Sequence, residues 1–475
     1  MKTGSVVSLF FVLGMSAFSA AAEDGKVQSP AAGVAGDAPA KADVVRVPYI
    51  PQVVMRELKE EIRQEVLAQA KGERWGDPGA MPEWLSRISW DGDFRARYQR
   101  DSFPIGNTLP AQYNPSGLNL ISNTSETHNY SRIQVHLGMK AKVSEYTFAA
   151  FRLSTGTTSN PVSTNQTMGN GFNKSSLVLD RAYMQSSPYY WLALSAGKMP
   201  NPWLSTDLVW DSDVNFEGVA AQLKPRFGEE WSGFLTAGAF PFQDIQRSDM
   251  VLANSKWLYG TQLSAKWTAL NSSTFQFGVA LYDFRNVEGT PNTTLGSYFY
   301  DNTAAQSMQK GNSLMSINAI GDPAIYGIAS KFRELNYTAR MDWATFDPVH
   351  VVLSGDYVRN LGFNADEIAQ RTGQVLEPKI TGHQTMLTVG YPRIKQRGDW
   401  QANVAYKYLE RDAVLDALTD SDFHLGGTNA KGFVIGVSYG VDKETSLGLR
   451  RISADQIDGP PLSIDTWQVD LSMKF

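Results

Sequence analysis

The sequence predicts an all-β fold, a 16-stranded antiparallel transmembrane β-barrel with a short N-terminal periplasmic helix. Three observations carry this expectation. From Arg87 onward apolar and polar residues alternate with period two, the spacing at which successive side chains point to opposite faces of a strand. The links between the alternating segments are short and long by turns. The last segment runs to the terminal residue, with Trp467, Val469, Leu471, Met473 and Phe475 on one face and Thr466, Gln468, Asp470, Ser472 and Lys474 on the other.

Taken in chain order, Lys2 is followed by an apolar run from Val6 to Phe18 and by small residues at Ala20 and Ala22. This predicts a signal peptide over residues 1–22, cleaved after Ala22. Its apolar run is shorter than the roughly 20 residues a spanning helix needs. Residues 23–50 are rich in Ala, Gly and Pro with scattered charge, the composition of a flexible leader. Over residues 51–75, Val54, Leu58, Ile62 and Val66 recur at every fourth position among Glu57, Lys59, Glu60, Glu61, Arg63 and Glu65, which predicts an amphipathic helix. So short a stripe is stabilised mainly by packing on something else. It either lies against the barrel rim or forms a coiled coil between protomers, leaving monomer and homotrimer both open.

The barrel is expected over residues 87–475. Its strands are expected near 87–99, 130–142, 145–155, 177–186, 190–198, 214–224, 231–240, 257–269, 274–285, 330–345, 349–360, 381–393, 399–411, 431–440, 444–453 and 464–475. Short periplasmic turns and long external loops require an even strand count with both termini on the periplasmic side. Tyr98, Trp257, Trp267, Trp343, Tyr357, Trp400, Tyr408 and Trp467 fall at strand ends, where aromatic girdles meet the two water interfaces.

Composition agrees with that architecture. The 475 residues contain no cysteine, so an exported chain of this length is held together without disulfides. A closed barrel achieves this by hydrogen-bonding every strand to two neighbours. Hydrophobic residues make up only 42% of the chain, as expected when outward apolar positions alternate with inward polar ones. A net charge of −5 leaves no electrostatic footprint for nucleic acid.

Four stretches carry a family resemblance: EVLAQAKGERWGDPGAMPEWLSRISWDGDFRARYQ from Glu65 to Gln99, GKMPNPW from Gly197 to Trp203, GDYVRN from Gly355 to Asn360, and YLERDAVLDALTDSDFHLGGTNAKG from Tyr408 to Gly432. They resemble the putative porin family of Gram-negative bacterial outer membranes. The resemblance implies a barrel among outer-membrane lipid and lipopolysaccharide, with no cofactor. It also implies passive diffusion of small hydrophilic solutes or ions, and it says nothing of which solute.

A diffusion channel needs no catalytic group, only a water-filled lumen with charge at its narrowest point. Arg95, Arg97, Arg132, Lys140, Lys142, Arg340 and Lys407 alternate inward, which predicts a basic wall. The third long loop carries Asp207, Asp211 and Asp213, and if it folds inward its acid faces that base. The candidate constriction is therefore Asp207, Asp211, Asp213, Arg95, Arg97, Arg132, Lys140 and Arg340. Asp412, Asp416, Asp420 and Asp422 read as solvated loop charge, because their spacing lacks the calcium-loop pattern. His128, His136, His350, His383 and His424 belong to no HExxH motif and accompany no GxSxG, so no catalytic or metal residue is assigned. Two other readings remain: a structural or adhesive barrel with a plugged lumen, and a hydrolase whose serine and histidine meet without a motif.

Overall fold

The computed structural model describes residues 59–66, 68, 87–115 and 118–475. The chain divides into two units, Met1–Ala80 and Met81–Phe475. In the first, residues 59–66 and 68 are helical, inside the helix expected over 51–75, with Ile62 and Val66 exposed. The signal peptide and the leader lie outside the described residues.

The second unit is a closed antiparallel barrel of 16 strands: β1 (Ile88–Ser102), β2 (His128–Lys142), β3 (Thr147–Thr155), β4 (Leu177–Tyr189), β5 (Leu192–Pro200), β6 (Asn215–Leu223), β7 (Trp231–Gln243), β8 (Lys256–Thr268), β9 (Thr274–Arg285), β10 (Arg333–Phe346), β11 (Val349–Asn360), β12 (Thr381–Gly390), β13 (Trp400–Leu409), β14 (Ala430–Gly440), β15 (Thr445–Gln456) and β16 (Ser463–Lys474). Every strand pairs with its neighbours in chain order. β16 then returns to β1, with Asp93 opposite Lys474 and Ser102 opposite Asp465. Gly92 and Phe475 exchange both backbone hydrogen bonds, at 2.9 and 3.0 Å, so the terminal residue completes the closure. Each expected strand is present, its ends displaced by a few residues at most.

Outward positions are apolar, and their aromatics form two bands. Trp90, Trp231, Trp400 and Tyr439 stand near the short-turn end, and Tyr98, Tyr259, Tyr337, Tyr357 and Trp467 near the long-loop end. This is the distribution that a bilayer imposes on a barrel.

The lumen is less uniform than period two implied. Inward positions of β6 to β13 include Phe216, Phe240, Tyr282, Phe284, Val358 and Leu409, all nearly fully buried. They pack against Trp203, Leu208, Val209 and Trp210 from the connection after β5, and against Val414, Leu415 and Leu418 from the connection after β13. The aromatic contacts are mostly edge to face, with Phe216 and Phe240 centroids 5.1 Å apart and Trp210 and Tyr282 at 5.0 Å. One side of the lumen is thus a dry core.

This corrects one expectation. The acids of the 410–429 connection are not solvated: Asp412 and Asp416 are buried, and Asp420 is only 6% exposed. The run Ala413, Val414, Leu415, Ala417 and Leu418 sinks into the core and carries the neighbouring carboxylates down with it.

Candidate pore constriction

Polar inward residues collect on the remaining wall, formed by β15, β16, β1 and β2. Strand alternation puts Asp93, Arg95, Arg97, Gln99 and Asp101 of β1 inward, level with His136, Gln134, Arg132 and Tyr130 of β2. On the other flank Arg97 lies opposite Asp470 of β16. Its guanidinium holds that carboxylate with two bonds, 2.7 and 2.9 Å, the planar fork matching both oxygens.

Two connections approach this wall from the core side. Residues 201–214 fold into the barrel, anchored by Trp203, Leu208 and Trp210. The backbone N–H of Leu204 donates to Gln262 at 2.8 Å, and the Thr206 hydroxyl donates to Asp356 at 2.8 Å. Residues 410–429 fold in beside it, and the backbone N–H of Asp211 donates to the carbonyl of Leu418 at 2.8 Å. The connection 286–332 holds the second loop from behind. Asn312 donates to the carbonyl of Val414 at 2.9 Å, the Ser313 hydroxyl donates to Asp412 at 2.6 Å, and Lys310 donates to the carbonyls of His424 and Gly426.

The loop carboxylates meet the wall cations directly. Lys407 on β13, 2% exposed, donates to Asp420 at 2.7 Å and lies 3.3 Å from Asp207. Asp422 accepts from Arg97 at 2.9 Å and from Arg450 of β15 at 3.2 Å. Burial alone would raise the Asp422 carboxyl, but Arg97 and Arg450 outweigh it and hold it below the usual carboxylate range. Burial likewise opposes ionisation of Asp207, yet Lys407 and Arg450 keep it low; 37% of its side chain still faces open space. Asp211 has no cation to offset its burial, and with Asp420 nearby it is pushed up to about 7.

Between the wall and the two loops lies a cavity of ≈ 400 Å³. Its charged lining is Asp93, Asp207, Asp211, Asp213, Asp420 and Asp422 against Arg95, Arg97, Arg450 and Lys474. Arg95 donates to Asn165 at 2.7 Å, and Asp213 accepts from the backbone and hydroxyl of Thr164 at 3.0 and 3.1 Å. Five of the eight residues proposed from the sequence therefore come together: Asp207, Asp211, Asp213, Arg95 and Arg97. The other three stand outside the lining. Arg132 lies over the Tyr130 ring at 4.7 Å, one inward position above Gln134. Lys140 lies over Phe148 at 3.7 Å, near the short-turn end. Arg340 sits on β10, opposite Gln276 and Ser354.

Sequence reasoning read Asp420 and Asp422 as solvated loop charge and missed Arg450; all three line the cavity. The available signal was AVLDAL at 413–418, an apolar run that an external loop has no reason to carry.

A closed 16-strand barrel with an apolar outer surface and charged residues converging inside defines a transmembrane channel. The chain belongs to the Putative porin family, whose sequence pattern matches residues 15–475. It is an outer-membrane porin. No curated protein is matched significantly by the sequence. Among solved structures, the barrel is similar to OmpT of Vibrio cholerae in a loop L8 deletion mutant, at 9% identity and TM-score 0.41, covering 82% of this chain and 99% of that one. It is also similar to OmpF of Salmonella typhi in complex with daunomycin, at 9% identity and TM-score 0.42, covering 82% and 97%. The outer membrane channel DcaP of Acinetobacter baumannii gives 10% identity, TM-score 0.41, and coverage of 82% and 97%.

Proposed function

We propose that small hydrophilic solutes and ions diffuse passively past the β15–β16–β1–β2 wall, and that the ≈ 400 Å³ cavity is the selectivity filter with a weak preference for cations. The observation that carries this reading is the surplus of carboxylates: six line the cavity against four cationic groups. Water-filled constrictions lined by one sign of charge concentrate ions of the other. The test is the reversal potential across planar bilayers under a salt gradient. Asp207→Asn combined with Asp211→Asn should move it toward anions, and an unchanged potential would remove the 201–214 loop from the filter.

Export through a signal peptide cleaved after Ala22, contact with lipid and lipopolysaccharide, and assembly as a homotrimer complete the proposal. The short apolar stripe at Ile62 and Val66, which calls for a packing partner, supports assembly.

A hydrolase reading has one observation in its favour. His136 sits 3.1 Å from Asp93 through Nδ1 and 3.1 Å from the Thr164 hydroxyl through Nε2. Thr164 is only 6% exposed, however, and its hydroxyl donates to Asp213 while accepting from Gln134. A committed, secluded hydroxyl is a poor nucleophile, so the trio serves better as a strut for the loop. Esterase activity lost on His136→Ala would reverse this judgement.

A further inference from the structure

We propose that the cavity of ≈ 940 Å³ at the loop end of β3 to β7 binds an amphipathic amine, an apolar or aromatic body carrying one ammonium group. The site is distinct from the filter proposed above and shares only Asp213 with its lining.

The cavity passes through the barrel wall. β6 extends up to Asn215 and β7 to Gln243, yet their pairing stops at Val219 opposite Ala239. Continued in the same register, Glu217 would face Pro241, which has no N–H to offer. β4 likewise begins at Leu177 but pairs with β5 only from Ala182 opposite Lys198. Through these breaks, outward Leu179, Lys198 and Pro241 and inward Trp210, Phe216 and Phe240 line one space. Ala239 stands opposite Tyr259 of the loop-side aromatic band, so the opening lies at that band and beyond it. Amphipathic molecules settle at this level of a membrane for the reason that Tyr and Trp rings do.

The lining has two characters. One side is aromatic, with Trp210 and Phe216 centroids 4.9 Å apart, Phe216 and Phe240 at 5.1 Å, and Phe242 beside them. The facing side, from the connection after β3, carries the hydroxyls of Thr157, Thr158, Ser159 and Ser163. A fitting solute therefore has an apolar face and a polar one. Charge decides its sign: Asp180, Asp213 and Glu217 line the cavity against Lys198 alone. Glu217 is paired with Lys198 at 2.8 Å and Asp180 with Arg152, whereas Asp213 enters no ion pair among the described residues. Both bonds its carboxylate accepts, from Thr164, land on Oδ2, and Oδ1 has no partner among the described residues. Arg95 and Arg181 act on it at longer range, but each donates instead to an asparagine, Asn165 and Asn215, at 2.7 Å. An ammonium group supplies the missing counter-charge, and the aromatic side favours a cation again. Ser154, fully buried in the same lining with its Oγ unpartnered, offers a further acceptor. An anion of the same shape would meet a carboxylate instead.

The test uses the full-length protein in lipid nanodiscs and 2-phenylethylamine, measured by equilibrium dialysis with empty nanodiscs subtracted. 3-Phenylpropionate, similar in shape and opposite in charge, is the comparison. The proposal expects saturable uptake of a single amine per chain, undisturbed by the carboxylate. Asp213→Asn should weaken it at least about tenfold, the loss of one hydrogen bond between charged groups. Thr157→Trp, which fills the cavity from an exposed position, should weaken it as much. No saturable uptake above empty nanodiscs, or equal uptake of 3-phenylpropionate, overturns the site and leaves the filter reading standing. Loss in Asp213→Asn with full affinity in Thr157→Trp puts the amine in the filter cavity and also overturns it. If Asp213→Asn does not insert, Thr157→Trp and the carboxylate comparison decide.

Discussion

At the scale of single residues, the proposed constriction is set by which charges are compensated. Lys407 and Asp420, 2% and 8% exposed, hold one another inside the barrel. Removing one partner of such a pair leaves a buried charge and costs about 3–5 kcal/mol, whereas replacing both with neutral groups of similar size is far cheaper. Lys407→Ala should therefore loosen the 410–429 loop, seen as larger and noisier conductance steps, while Lys407→Met with Asp420→Asn stays close to the parent. Asp211 is the uncompensated group, pushed up to about 7 by burial with Asp420 nearby. Below that pH it is neutral, and as pH rises through it the proposed filter gains a negative charge. Cation preference should increase across this window, and Asp211→Asn should abolish the increase in reversal-potential measurements. The linked effect on stability has a definite sign. Between the ordinary aspartate value, about 4, and about 7, the folded state binds a proton that the unfolded chain releases. The loop's seat is thus weakened as pH rises through that interval and stays weaker above it.

At the scale of elements, strands were legible and inserted loops were not. Two solvents, lipid outside and water inside, force period two onto each strand, so alternation at Arg132 to Val143 or Leu335 to Trp343 reads out directly. Nothing local marks which loop turns inward, because its partners are remote in sequence: Asp422 meets Arg97 across 325 positions, and Ser313 meets Asp412 across 99. The inward alternation of Arg95 and Arg97 gave their orientation but not their partners. Where apolar residues replace polar ones on the inner face, as at Phe216, Phe240 and Tyr282, the alternation was blurred by the dry core they serve. The loop clamp makes its own prediction. Lys310→Ala removes the donor to the carbonyls of His424 and Gly426, and each buried acceptor left unpaired costs about 1–3 kcal/mol. The 410–429 segment should then become susceptible to limited proteolysis, with strand content unchanged by circular dichroism.

At the scale of the whole molecule, the last residue extends the seam that closes the barrel, beyond the ladder from Asp93–Lys474 to Ser102–Asp465. Phe475 exchanges two backbone bonds with Gly92, and its ring occupies the space a side chain at Gly92 would need: a Cβ there would lie 2.4 Å from Cε2 of the ring. Gly92→Leu should displace the ring and lower the temperature at which the barrel opens in heat-modifiability electrophoresis. Gly355, with nothing within 4 Å of a Cβ, should tolerate Gly355→Ala without that change.

Because the core fills the side of the lumen bounded by β6 to β13, the proposed route runs along the seam where the two ends of the chain meet. Its walls are the first two strands and the last two. A chain that has not yet laid down β16 has no wall for solute to follow, and a barrel that gapes at the seam gapes into its own conduit. If solute takes the proposed route, completing the sheet and completing the passage are one event.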